Sequence, residues 1–444
     1  MSEATADKGL LERLFAIKAQ GSSVKTELMS GLTTFMAMCY IILVNPSILQ
    51  QSGIPLEAAV AATIWTAALC SIAMGICANY PVALAPGMGL NAFFTFYVCG
   101  TLGLPWQTAL GAVFISGVVF FILTVTKLRQ LIIDSVPIGI KAAVVVGIGM
   151  FIACIGLQSS GIVVADPATK IAMGSVADPK MLLSMAGLVI IAVLLALKVR
   201  AAMIIGILII TLVGMILGVS PAPTKISDVF ALSLPSVATT FLQMDLLGAV
   251  HYGLLSVIFT FTVVELFDNI GTLIGLTRAA GLMDDQGHIK NIDRALTVDS
   301  VGTMLSAVVG TSTVTSYVES ATGVKAGGRT GLTAVTVGIC FLLAFILAPV
   351  AALIPAYATA PTMIIVGALM MNNVTAVNFS DYTESIPAFL TIIMMPLTYS
   401  IANGFGVGFI SFCLIKLFTG RYKEVSVVMW VIALTFAVSF IMRS

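Results

Sequence analysis

Two carboxylic acids lie where a bilayer-embedded chain tolerates them least. Asp268 sits in Val263-Val-Glu-Leu-Phe-Asp-Asn-Ile-Gly271, and Glu319 in Gly310-Thr-Ser-Thr-Val-Thr-Ser-Tyr-Val-Glu-Ser320. A charged side chain at the centre of a bilayer costs roughly 2.5–3.5 kcal/mol even on translocon-derived scales. Acids kept at that cost usually face a cavity, where they bind or move something. The two are therefore read as the core of a substrate and proton site. An ionised carboxylate accepts from two adjacent N–H donors, and burial favours the protonated form, so one group type can serve both tasks. Two nearby acids titrate as a pair, so the sequence does not assign the transported proton to either.

Their neighbours extend the site. On a helix Asp268 and Thr272 share a face, with Glu265 three residues before Asp268 on the same side. Glu319 follows a stretch rich in hydroxyls and β-branched residues, which suits extended backbone, and it would open a half-helix. Gly87, Gly89 and Asn91 stand at the matching place in Ala83-Leu-Ala-Pro-Gly-Met-Gly-Leu-Asn-Ala92. Glycines there permit close backbone approach, and Asn91 offers both a donor and an acceptor. Each feature also has a purely structural reading: a carboxylate capping a neighbouring helix, an acid offsetting a helix dipole, or glycines letting helices pack.

These residues must be positioned by a membrane fold. Of 444 residues, 59% are hydrophobic and 9% charged, the net charge is +1, and the mean hydropathy is +1.10. So much apolar surface requires the bilayer as solvent. The balance of 21 basic and 20 acidic residues gives no reason to expect nucleic acid. The polar start up to Lys25 lacks the apolar core of a cleaved signal peptide. The seven cysteines fall in or beside apolar runs, without disulfide-framework or zinc spacing, and read as packing residues. Only two histidines are present, His251 and His288, which argues against histidine chemistry. Asp284-Asp285, in a glycine-containing loop, reads as a solvated turn rather than a metal site. No phosphate loop, nucleophile elbow or metal motif is found, so the chain is not expected to be an enzyme.

Apolar runs near 28–48, 57–78, 87–99, 106–126, 131–157, 182–198 and 201–218 predict segments 1 to 7. Runs near 248–276, 297–310, 313–324, 329–348, 358–372, 386–402 and 404–418 predict segments 8 to 14, beyond a polar linker at 219–247. The run 427–442 stands outside this scheme, free to span, to lie in the interface or to pack as an accessory helix. With the N-terminus inside, the inner loops hold most of the Lys and Arg residues, while Lys170, Lys180 and Lys225 fall outside. Seven crossings per half place the halves in opposite orientations. Segments 3 and 10 then correspond, and both are interrupted, which is the sequence mark of a transporter's binding site. A second echo links Val145-Val-Gly-Ile-Gly-Met150 in segment 5 with Ile365-Val-Gly-Ala-Leu-Met370 in segment 12.

Ala85-Pro-Gly-Met-Gly-Leu-Asn-Ala-Phe-Phe94, Leu266-Phe-Asp-Asn-Ile-Gly-Thr-Leu-Ile-Gly275 and the 310–320 stretch with Gly327-Gly-Arg-Thr-Gly331 resemble the azaguanine-like (AzgA) purine permeases. These form a branch of the nucleobase–ascorbate transporter group, and the wording is most like the bacterial hypoxanthine/guanine permeases. The similarity runs from about Gly21 to Gly420 in motif order. It implies an all-α polytopic protein with 14 transmembrane segments as a 7+7 inverted repeat, and short extended stretches in segments 3 and 10. It implies a core domain at 28–127 and 248–348 and a gate domain at 128–218 and 349–418. These would be flanked by a cytoplasmic tail at 1–27, an external linker at 219–247 and a C-terminal segment at 419–444. The family's substrate acids fall on Asp268 and Glu319, its segment-3 positions on Gly89 and Asn91, and its backbone contacts on Tyr317 and Val318. The implied activity is proton-coupled import of purine nucleobases across the cytoplasmic (inner) membrane, hypoxanthine and guanine before adenine, by a homodimer. No cofactor beyond the coupling proton is implied.

In this reading one of Asp268 and Glu319 accepts ring donors, as from the N1–H and 2-amino edge of guanine. Their protonation, with Glu265 as a further candidate, supplies the coupling. Phe93 or Phe94 would cover a ring face. The rivals are an anion transporter of related fold, a membrane enzyme and a channel. Like-charge repulsion from two acids speaks against an anionic substrate, and interrupted spans holding single acids suit a closed pocket better than a pore.

Overall fold

The computed structural model describes residues 9–231, 235–251, 255–282, 289 and 291–441. Asp284-Asp285, His288, Lys290 and Arg443 lie outside the described residues. Among the described residues, eight helices are long and apolar enough to cross a membrane, and Ala202–Ile216, Tyr382–Leu397 and Val427–Ile441 are shorter apolar helices. Ten of these, with Ile292–Val309 (segment 9), Ala356–Met370 (segment 12) and the interrupted segments 3 and 10, make up the fourteen segments in the expected order, and Val427–Ile441 stands outside them. Segment 5 starts at Ile138, later than the apolar run suggests. Pro137 opens it, and a separate short helix, Leu128–Ser135, precedes it. The loop after segment 5 forms a hairpin of β2 (Val163–Asp166) and β3 (Lys170–Met173), which the hydropathy pattern does not announce.

The centre of the molecule is built from the two interrupted segments. In segment 3, β1 (Leu84–Pro86) leads into the helix Met88–Ala92 and a π-helical stretch, Phe93–Thr101. In segment 10, β4 (Val314–Ser316) leads into Ser320–Lys325, with Glu319 at the helix N-cap. β1 and β4 pair antiparallel, Leu84 opposite Ser316 and Pro86 opposite Val314. Extended backbone at this depth must find every partner inside the protein, and it does so at both ends and along both edges. Gly87 N–H donates to Thr313 O at 2.9 Å and Tyr317 N–H to Ala83 O at 3.0 Å. Side chains complete the edges: Leu84 N–H donates to Ser71 Oγ, Ala83 N–H to Ser320 Oγ, Val314 N–H to Thr303 Oγ1 and Ser316 N–H to Asn269 Oδ1. The hydroxyl-rich composition around 310–320 thus supports a two-stranded ribbon within a helical protein.

Around the ribbon the helices pack in two groups. Segment 11 packs on segments 1 and 2, and segment 9 on segment 4; separately, segment 5 packs on 12 and 13, segment 12 on 6, and 13 on 14. The sequence echo between segments 5 and 12 marks one of the closest contacts. A Cβ added to Gly367 would stand 2.4 Å from the Gly149 carbonyl oxygen. Only glycine lets these backbones approach so closely.

The linker is tied over the core, with Leu242 N–H donating to Val308 O and Thr240 Oγ1 to Val309 O. The last helix, Val427–Ile441, rises about 22 Å at 1.5 Å per residue, short of a hydrocarbon core of about 30 Å. It packs against segment 14, where Phe436 meets Phe405 and Phe409, and against segment 8 through Phe259. This is the accessory-helix arrangement.

Candidate functional site

Where the ribbon, segment 8 and segment 5 converge there is a cavity of about 1000 Å³. Asp268 and Glu319 both line it. Asp268 comes from segment 8 (Leu255–Ala279) and accepts from the Thr315 hydroxyl of β4 at 2.9 Å. Glu319 accepts from the Tyr40 hydroxyl, in segment 1, at 2.6 Å. Each acid is thereby aimed by one neutral donor and keeps further acceptor capacity. Thr272 lines the same wall as Asp268, one helical turn on. Tyr317 and Val318 line it too. The Tyr317 hydroxyl is occupied by Pro86 O at 2.6 Å, whereas the Val318 N–H bonds to none of the described residues.

Gly89 lines the cavity opposite Ile148 of segment 5, and a Cβ there would stand 2.4 Å from Ile148 Cγ2. This contact joins segment 3 to segment 5. At the other end the cavity reaches Lys198, Arg200 and Lys325, which the charge pattern assigns to inner loops.

Three residues expected at the substrate sit behind this wall. Asn91 is two positions past Gly89, about 200° around a helix of 3.6 residues per turn, and so points away from the cavity. It is buried and donates to Asn45 Oδ1 at 2.8 Å, while Asn45 donates to Thr63 at 2.7 Å and Thr311 at 3.0 Å. That network clamps segments 1, 2, 3 and 10 together. Phe93 is buried and stacks on Tyr97 at 5.1 Å, with its neighbour Phe261 edge-on at 5.2 Å. Phe94 is equally buried. Neither ring lines the cavity, so neither is placed to cover a ligand. The apolar lining of the cavity includes Ile148, Ile152 and Met370.

Glu265 does not line the cavity either. It is fully buried one turn before Asp268 and accepts from the Thr303 hydroxyl of segment 9 (Ile292–Val309). Beside it lies Asp299, which the sequence reading passes over inside the run 297–310. Asp299 accepts from the Asn269 side-chain amide. The signal was available, since Asp299 is a fourth acid within an apolar span. Tyr40 and Thr315 gave no comparable signal, because their roles follow only from packing.

The sequence and the fold can now be set beside known proteins. A model of the permease family matches residues 25–407. The chain is 43% identical to adenine permease AdeP of Escherichia coli (strain K12), over 98% of this chain and 97% of that one. It is 42% identical to guanine/hypoxanthine permease PbuG of Bacillus subtilis (strain 168), over 97% and 99%. Relatedness alone therefore does not separate adenine permeases from guanine/hypoxanthine permeases. Among solved structures, the transmembrane domain of a cyanobacterial bicarbonate transporter, BicA, superposes with a TM-score of 0.65 at 17% identity, covering 85% of this chain and 97% of that one. It shares the seven-plus-seven fold. The chain is an integral membrane protein and belongs to the permease family.

Proposed function

We propose that the protein is a proton-coupled symporter that imports purine nucleobases by alternating access. The carrying observation is that Asp268 and Glu319, from two different segments, line one cavity at the crossing of the β1–β4 ribbon. The names of the relatives, adenine permease and guanine/hypoxanthine permease, support a purine as the occupant. A purine is flat and neutral, with donors and acceptors around its rim. The carboxylates would accept from ring and exocyclic N–H groups, the Val318 N–H would donate to a ring acceptor, and Ile148 and Met370 would cover the faces. The two carboxylates favour guanine and hypoxanthine, which present an N1–H on the six-membered ring, with adenine as the alternative.

Alternating access would move the core (28–127 and 248–348) against the gate (128–218 and 349–418), with Gly89 riding on Ile148. Titration of the buried acids would tie the proton to the cycle. The N-terminus would lie in the cytoplasm, and the unit in the cytoplasmic membrane would be a homodimer. Two acids in the cavity would repel the anions that proteins of related fold carry.

The test is uptake of radiolabelled guanine, hypoxanthine and adenine into proteoliposomes holding the purified protein. An imposed inward proton gradient is expected to drive accumulation of at least one purine above its external concentration, and an uncoupler to abolish it. Purine uptake indifferent to the gradient would remove the symport claim, and no uptake of any of the three would remove the substrate.

A further inference from the structure

Behind the substrate cavity, segments 8 and 9 enclose a second acidic site. Glu265 and Asn269 are four apart on segment 8, and Asp299 and Thr303 four apart on segment 9, so each pair shares a helix face. The faces meet through two hydrogen bonds, Thr303 hydroxyl to Glu265 Oε1 and Asn269 amide to Asp299 Oδ2. Both acids are fully buried. Each leaves one carboxyl oxygen, Glu265 Oε2 and Asp299 Oδ1, without a partner among the described residues. Neither is ion-paired with a described Lys, Arg or His. Glu265 and Asp268 are the charged side chains that act on Asp299. Among the described residues, Cys70 of segment 2 is the other titratable group facing Asp299, and the contacts of β4 with segments 8 and 9 come from hydroxyls and backbone. Two buried carboxylates with no described cation beside them do not both remain charged.

We infer that Glu265 and Asp299 form a proton-holding pair that carries the coupling proton while the purine occupies Asp268 and Glu319. The inference rests on the symport reading above and moves the proton off the substrate acids. The pair is wired to the cavity. Asn269 donates to Asp299 and, through its Oδ1, accepts from Ser316 N–H at 2.6 Å and from the Thr315 hydroxyl at 3.1 Å. That hydroxyl also faces Asp268 Oδ2 at 2.9 Å, and its one proton serves one acceptor at a time. When the pair takes up a proton, Asp299 loses its demand on Asn269, and the Asn269–Thr315–Asp268 chain can re-sort. When the purine leaves Asp268, the sequence reverses and the proton departs to the inner side. The pair thus alternates between one negative charge and none, and each turnover carries a neutral purine with one positive charge.

The experiment compares wild type with Glu265→Gln and Asp299→Asn in proteoliposomes, reading gradient-driven accumulation and purine counterflow side by side. Both variants are expected to lose accumulation by about tenfold or more while keeping counterflow and equilibrium purine binding. The double variant Glu265→Asp/Asp299→Glu, which retains two acids, should regain accumulation. Single variants that accumulate purine as wild type does, with the same pH profile, would overturn the inference. So would accumulation in wild type driven by a sodium gradient in place of the proton gradient. Should the neutral variants not fold, infrared titration of Asp268→Asn/Glu319→Gln serves instead: a carboxylic acid C=O band from the remaining buried acids must persist at neutral pH, and its absence overturns the pair. Wild-type protein that carries no purine at all would instead fail the symport reading, a result distinct from these.

Discussion

Glu319→Gln and Asp268→Asn are each expected to weaken equilibrium purine binding by about 10- to 100-fold, with the protein still folded. Both changes preserve shape and remove charge. The amide oxygen can still accept from Tyr40 at position 319 and from Thr315 at position 268. What is lost is the anionic acceptor facing the ligand, and a hydrogen bond to a charged group contributes about 1.5–3 kcal/mol. At about 1.4 kcal/mol per tenfold, that range sets the expected loss. Calorimetric or scintillation-proximity titration of purified protein with guanine reads it directly. Tyr40→Phe separates aim from charge: it leaves Glu319 ionisable but unaligned, and should weaken binding less than Glu319→Gln. Wild-type affinity in both acid variants would detach the acids from the substrate.

The second large effect concerns the contact between segments 5 and 12. Gly367→Leu should lower the melting temperature of the purified protein markedly and broaden its size-exclusion peak, because segments 5 and 12 could no longer touch. A Cβ at 367 falls 2.4 Å from the Gly149 carbonyl oxygen and 2.7 Å from Ala153 Cβ. The first obstacle is backbone, which cannot step aside as a flexible side chain would. Overpacking of a fitted contact costs about 1–3 kcal/mol, and more when backbone must move. Gly271→Ala is the control. It lies on segment 8 with no heavy atom within 4 Å of the added Cβ, and alanine gains about 1 kcal/mol of helix propensity over glycine. A melting temperature for Gly367→Leu equal to that of the control would contradict the close approach.

Much of this was legible in the sequence, for reasons that can be named. Apolar length reports crossings because every bilayer-spanning helix must satisfy its own backbone. Pro86 and the Thr-Ser run at 311–316 announced the broken segments because neither suits a helix interior. Asp268 and Glu319 stood out because charge is rare at that depth.

What escaped depended on helical phase and on partners. Asn91 was placed at the ligand because its residue type is right. Its direction, however, depends on where the short helix begins, and the start at Met88 turns it inward onto Asn45. Phe93 and Phe94 look like stacking platforms by type, yet bury their rings in the core. Glu265 and Asp299 are separated by thirty-odd residues and become a pair only when segments 8 and 9 lie face to face.

The central claim is that a purine lies between Asp268 and Glu319, in contact with both arms of the broken segments. Structure determination of the protein with guanine bound tests it most directly. The expected result is a planar ligand in the cavity with N–H groups at about 2.6–3.2 Å from carboxylate oxygens of Asp268 or Glu319, and a gate side chain such as Ile148 or Met370 against its face. Guanine bound elsewhere, or in this cavity with both acids turned away from it, would contradict the account.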